Sequence, residues 1–174
     1  YLRGESVLDY AKESLEDSVL SIVERMIFLK KVSFFQGVAV EQLKVLSSIC
    51  EEELYDANDV IFREGERGDS LYVVVNGVVS IGIFSKSSND FTELAIYSPN
   101  TAFGEMSLFD HSPRSASAVA KTDVLLLKLR SEPMLALMYQ EPDLSIELLR
   151  SMSDNLRNAN SRIASLTSTM RKSF

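Results

Sequence analysis

The sequence predicts an antiparallel β-roll flanked by helices at both ends, an α+β fold in which strands dominate. Three observations predict it. From Leu54 to Leu129 the chain breaks into short apolar runs separated by turn residues, the pattern of a sandwich or barrel. Five of the seven glycines fall between Gly65 and Gly104, where turns need them. Both ends carry apolar residues at helical spacing instead.

Taken in order, residues 5–30 read as helix. Leu8, Ala11, Leu15, Val19, Ile22 and Met26 recur on one face, and Ser14 or Asp17 offers an internal cap. A second helix over residues 40–50 turns Leu43, Leu46 and Ile49 inward, with Phe34 and Phe35 as apolar anchors before it. Glu51, Glu52 and Glu53 read as its solvated end. Strands are expected at 60–62, 71–75, 78–84, 94–97, 115–120 and 124–129. Asn76-Gly77 lies between two of them and predicts a type I′ hairpin, whose two central residues need positive φ. Ser131 then caps a short helix with Pro133 in its first turn. Pro142 opens a long helix over residues 143–170. There Leu149, Met152, Leu156, Ala159, Ile163, Leu166 and Met170 follow a 3-4 spacing, three heptads of seam positions. Leu144, Leu148 and Leu149 are expected on the roll, and residues 156–170 against a second chain as a weak homodimer. The organisation read from this is an N-terminal helical segment or linker (1–30), a β-roll unit with its preceding helix (31–130), and a C-terminal hinge with a lid helix (131–174).

Composition excludes several functions. A single cysteine, Cys50, permits no disulfide within the chain and suits a reducing, cytoplasmic setting. Cys50 reads as a small buried apolar residue. With one histidine, His111, there is no His/Cys metal cluster, and His111 reads as a solvated loop residue. The net charge of −7 and pI near 4.8 lack the basic footprint of a nucleic-acid binder. The longest uncharged stretch, residues 70–85, is too short and too broken by glycine to span a bilayer. The chain starts at Tyr1 without a basic-then-apolar leader, and reads as a piece of a longer protein.

Two segments carry chemistry. One runs Ile61-Phe-Arg-Glu-Gly65-Glu-Arg-Gly68-Asp-Ser-Leu-Tyr-Val-Val-Val-Asn-Gly77, strand and glycine turn twice over. The other runs Phe103-Gly-Glu105-Met-Ser-Leu-Phe-Asp-His-Ser-Pro-Arg114-Ser-Ala-Ser-Ala-Val-Ala120. In the second, Gly104 lets the backbone approach a ligand, and residues 104–109 can form one helical turn with outward amides. The Glu105 carboxylate only accepts hydrogen bonds, which suits sugar hydroxyls. Arg114 offers a planar fork for phosphate oxygens. Together they describe a pocket for a sugar phosphate.

These segments resemble the cyclic nucleotide-binding domain family over about residues 31–170. Its phosphate-binding cassette reads Phe-Gly-Glu, apolar, small, apolar, a short loop, Pro-Arg, small, Ala, and each position is matched. Gly65, Gly68 and Gly77 match the earlier glycine signature, with Phe62 where an aliphatic is usual. The resemblance implies that Glu105 bonds the ribose 2′-hydroxyl and Arg114 the cyclic phosphate. Backbone amides near Gly104, Glu105, Met106, Ser107 and Ser115 complete the cradle. Ser107 stands where many members have Ala. Ser115 permits cGMP without demanding it, so the implied ligand is cAMP, then cGMP, with no metal, no further cofactor and no catalysis. Leu156, Arg157 and Asn160 are the lid candidates on the last helix, with Asn158 beside them as a further contact to the base or across the seam. That helix would switch an effector elsewhere in a longer chain. Residues 24–35 resemble the leading helix of cyclic nucleotide domains fused to transporters and helical repeats, which implies a cytoplasmic part of a membrane protein. Two rival readings stand beside this one. The first is a degenerate module, with Glu105 and Arg114 as a structural ion pair, that only dimerises. The second is a piece of a transcription regulator that binds no nucleic acid itself.

Overall fold

The computed structural model describes residues 20–85, 87–88, 90–110 and 112–172. Helices α1 (Ile22–Lys31) and α2 (Val40–Ile49), joined through a 3₁₀ turn (Ser33–Phe35), lead into eight strands. These are β1 (Glu51–Tyr55), β2 (Val60–Phe62), β3 (Ser70–Asn76), β4 (Val79–Phe84), β5 (Phe91–Tyr97), β6 (Ala102–Phe103), β7 (Ser117–Ala120) and β8 (Val124–Arg130). A short helix α3 (Met106–Asp110) sits between β6 and β7, and α4 (Ser131–Gln140) and α5 (Pro142–Lys172) follow β8. The strands form two four-stranded antiparallel sheets, in the orders β1-β8-β3-β6 and β2-β7-β4-β5. This is the helix-flanked β-roll that the sequence predicts.

The central strands β3 and β8 of the first sheet are buried on both faces, which explains their apolar runs at residues 71–75 and 124–127. Leu71, Val73, Leu125, Leu127 and Leu129 face the helices, packing with Leu29, Phe35, Leu46, Leu144 and Leu148. Tyr72, Val74, Val124 and Leu126 face the second sheet, with Val79, Phe103, Ala118 and Ala120. Each such aliphatic removed from water contributes about 1.5–3 kcal/mol. The second sheet has one wet face, and the middle of its edge strand β5 is exposed.

Several local expectations are corrected. Residues 51–53 are strand, not helix end. Their carboxylates pair across the fold, Glu51 with Arg130 at 2.9 Å, Glu52 with Arg25 at 2.8 Å and Glu53 with Lys128 at 2.8 Å. The first helix is not continuous through residues 5–30. Its described part starts after Ser21, whose hydroxyl accepts from the Glu24 amide while Glu24 accepts from the Ser21 amide, a capping box. Ser14, Asp17 and the apolar positions before Leu20 lie outside the described residues, as does His111. Asn76-Gly77 closes no hairpin. β3 pairs with β8 and β6, and β4 with β5 and β7, so the turn passes the chain between sheets. Gly77 has φ +84°, but Asn76 is not among the positive-φ residues. Ser131 is the first residue of α4 and makes no side-chain cap. The two-residue β6 escapes a reading by periodicity.

Helix α5 packs on the 3₁₀ turn and on α4. Leu144 and Leu148 are buried, whereas Leu149 is 61% exposed and points away from the roll, contrary to expectation. Met152, Leu156 and Ile163 are also exposed. Among the described residues, no helix is long and apolar enough to cross a membrane.

Candidate functional site

The site starts from a backbone clamp. The turn after β2 is bonded to the strand-like segment at Arg114. Gly65 N–H donates to the Arg114 carbonyl and Arg114 N–H donates to the Glu66 carbonyl, both at 2.8 Å, and Arg67 bridges Pro113. The glycine turn and the Pro-Arg segment, far apart in the chain, thereby become one wall.

Arg114 is 5% exposed. Its Nη1 donates to the Gly104 carbonyl at 3.0 Å, and Nη2 reaches Ser70 Oγ at 3.4 Å. The guanidinium lies over the Phe62 ring at 4.2 Å and the Tyr72 ring at 5.7 Å, a favourable cation–π setting. Tyr72 stacks on Phe103 at 5.3 Å, so the arginine rests on an aromatic floor. Burial pulls the guanidinium below its ordinary pKa, while Tyr72, Asp69, Glu66 and Glu105 act in the opposite direction. Gly104, at φ +79°, could not be replaced freely, since a Cβ would sit 2.7 Å from Arg114 Nη1.

Arg114 floors a cavity of about 110 Å³. Gly104, Glu105, Met106, Ser107 and Ser115 line it too, so the structure brings together all six pocket residues singled out in the sequence. Arg114 makes no ion pair with Glu105 among the described residues. Ser107 is buried, Met106 is exposed at 63%, and Ser115 is exposed.

A second cavity of about 430 Å³ adjoins the first, with Tyr97 and Glu105 in both walls. Ser33 and Phe34 of the 3₁₀ turn close it on one side, and α5 on the other. Burial, then the Glu105 carboxylate, push the Tyr97 phenol up, so it stays protonated at neutral pH. The α5 residues on this cavity are Asn155, Asn158 and Ala159. The lid candidates Leu156, Arg157 and Asn160 are not among its lining. Leu156 is 63% exposed, Asn160 is exposed, and Arg157 pairs with Asp154 one turn back. The helix turns Asn155, Asn158 and the heptad residue Ala159 toward the cavity, while the heptad residues Leu149, Met152, Leu156 and Ile163 are exposed. Sequence reasoning also missed the aromatic floor and Tyr97. Their strand alternation, Tyr72 opposite Phe103 in register, was the available signal.

The small cavity, with one cation and one carboxylate, suits an anionic sugar. The two cavities together fall in the range of about 300–1,000 Å³ typical of small-molecule sites. Among the described residues, no group of three His, Cys, Asp or Glu could hold a metal ion.

The site thus consists of a β-roll that presents a buried arginine and a nearby carboxylate to two adjoining cavities. The chain belongs to the cyclic nucleotide-binding domain family, whose model matches residues 52–141. It is 31% identical over 141 residues to a CRP-like cAMP-activated global transcriptional regulator of Mycobacterium tuberculosis, covering 81% of this chain and 62% of the relative. It is 37% identical over 131 residues to the cyclic AMP receptor protein of Thermus thermophilus, covering 75% of this chain and 60% of that protein. The chain thus spans less than two thirds of either relative. Among solved structures, the N-terminal domain of a transcriptional regulator from Streptomyces coelicolor A3(2) superposes with a TM-score of 0.69 at 33% identity, covering 77% of this chain and 95% of that one.

Proposed function

We propose that this chain is a cyclic nucleotide sensor, with cAMP preferred over cGMP, that controls an attached effector without catalysing a reaction. One observation carries the reading. Arg114 is nearly fully buried with no carboxylate partner among the described residues, beside a cavity that also holds Glu105. A buried charge is costly unless paired, and a cyclic phosphate supplies the missing anion. Glu105 then accepts from the ribose 2′-hydroxyl, and the base occupies the larger cavity under Asn155 and Asn158. The energy for switching is the ligand's differential affinity for two positions of α5. The effector lies in a longer cytoplasmic chain. The names of the relatives favour a regulator of transcription over one of transport.

The exposed Leu149, Met152 and Leu156 on α5 support a homodimer as a second property. A ligand that binds only the folded state stabilises it by about 2.7 kcal/mol at a hundredfold excess over Kd, a melting shift of several degrees. Millimolar cAMP should produce that shift, with cGMP weaker. No shift with either, and no heat on titration, overturns the proposal in favour of a module with an empty pocket.

A further inference from the structure

We infer that the outer face of the second sheet carries a further ligand site, separate from the pocket around Arg114, for a small aromatic carboxylate. The inference does not rest on the cyclic nucleotide reading. A groove of about 470 Å³ lies on that face, within the range of small-molecule sites. Strand alternation sets it apart from the pocket. On β4, Ile81 lines the small cavity and its neighbour Ser80 lines the groove. On β2, a break in register between Val60 and Phe62 sends Phe62 to the cavity and Val60 to the groove.

Two observations give the groove its chemistry. The first is an apolar floor. Val60 and Val119 lie beside Phe84 and Phe91, whose ring centroids are 4.9 Å apart. The second is a cation held ready. The Arg63 guanidinium lies over the Phe84 ring at 4.6 Å. Stacking on the ring face fixes the plane of the fork and leaves its in-plane N–H groups open. No described residue accepts from them. The Glu66 carboxylate accepts from the Arg63 backbone amide instead, at 3.1 Å. Among the described residues lining the groove, Glu93 is the one carboxylate, and it is already held by Lys121 Nζ at 2.8 Å and Ser80 Oγ at 2.7 Å. The groove therefore keeps one unmatched positive charge in a chain of net charge −7. A monoanion balances it, whereas a dianionic phosphate would leave a negative charge beside Glu93. A carboxylate can take the fork edge-on through two parallel bonds, and an aromatic ring attached to it covers Phe91 and the two valines.

Naphthalene-2-carboxylate is the probe, titrated into the full chain at neutral pH and followed by backbone amide shifts in NMR spectra. A ligand of this size should bind with a Kd of about 1 mM. The shifts should centre on Arg63, Phe84, Phe91 and Val119, and should persist with cAMP present in excess. The uncharged naphthalene-2-carboxamide should bind at least about fivefold more weakly, and Arg63→Gln should lower affinity for the carboxylate about tenfold, the loss of a charge-assisted pair. Arg63 is exposed, so the variant should melt where the parent does. No shifts at ten times the expected Kd, shifts that gather on residues 104–115 instead, equal binding of the carboxamide, or an Arg63→Gln variant that binds as tightly as the parent each overturn the inference. A chain that shows the groove shifts yet binds no cAMP upholds it and removes the nucleotide reading, so the two fail separately.

Discussion

Arg114 joins two duties at the scale of the single residue. It ties Gly104 and Ser70 to the aromatic floor, and in the proposed reading its remaining donors serve a phosphate. Arg114→Leu should weaken cAMP binding at least about thirtyfold, since losing one partner of a buried charge pair costs about 2–5 kcal/mol. It should also lower the melting temperature of the free chain, because the stacking on Phe62 goes with the charge. Glu105→Gln should cost less, as an amide oxygen still accepts from a hydroxyl. The parent chain should prefer cAMP to 2′-deoxy-cAMP, and equal affinities would remove Glu105 from the ribose. Cys50 is a contrasting case. Burial pushes its thiol up to about 12, with Arg25 opposing and Glu52 reinforcing the shift. Its Sγ donates to the Leu46 carbonyl at 3.2 Å. The folded state thus holds a proton that the unfolded chain releases near pH 9. Stability from this group is full below that pH and is lost as pH rises toward about 12. Alkylation by iodoacetamide at pH 8 should be slow in the folded chain and fast in denaturant. Fast labelling of the folded chain would contradict the buried, protonated thiol.

The last helix shows how an element divides its faces. Its first turns are anchored by Leu144 and Leu148, which are almost fully buried. Leu148→Ala should destabilise the fold by about 2–5 kcal/mol, measured by denaturant titration. A change within experimental error would mean that α5 is not docked there. Further along, Asn158 faces the larger cavity. An amide carries both donor and acceptor, so it can read the edge of a purine. Asn158→Ala should narrow the gap between cAMP and cGMP and leave a contact to the phosphate untouched, so both affinities should stay within about tenfold of the parent. If the ratio of the two affinities does not move, the base is not read from this residue.

The molecule as a whole leaves an apolar stripe uncovered. Leu149, Met152 and Leu156 are exposed on α5, upstream of and overlapping the 156–170 seam expected from the heptads. Their 3-4 spacing is that of a helix pair. Sedimentation at rising concentration should show a weak dimer. Truncation after Asn155 should weaken it, and Leu149→Glu together with Leu156→Glu should abolish it. A dimer as strong in the double variant as in the parent would place the interface elsewhere.

By itself, the sequence determined what depends on neighbours in the chain. The apolar runs of β3 and β8 mark central strands buried on both faces. The residues from Gly104 to Ser115 mark the pocket, because one short segment supplies most of its wall. Tertiary structure decided what depends on distant partners. Glu51, Glu52 and Glu53 read as a helix end, but in the fold they lie in a strand and pair with Arg130, Arg25 and Lys128, 79, 27 and 75 residues away, with Glu51 still exposed. Asn76-Gly77 carries a hairpin signal that pairing overrides, since both neighbours of each flanking strand are already taken. The face that α5 turns to the cavity is set by Leu144 and Leu148 docking on the core. That rotation brings Asn155, Asn158 and Ala159 to the cavity and leaves Leu149, Met152 and Leu156 exposed. Periodicity marks which residues share a face, but the packing partner decides where that face points.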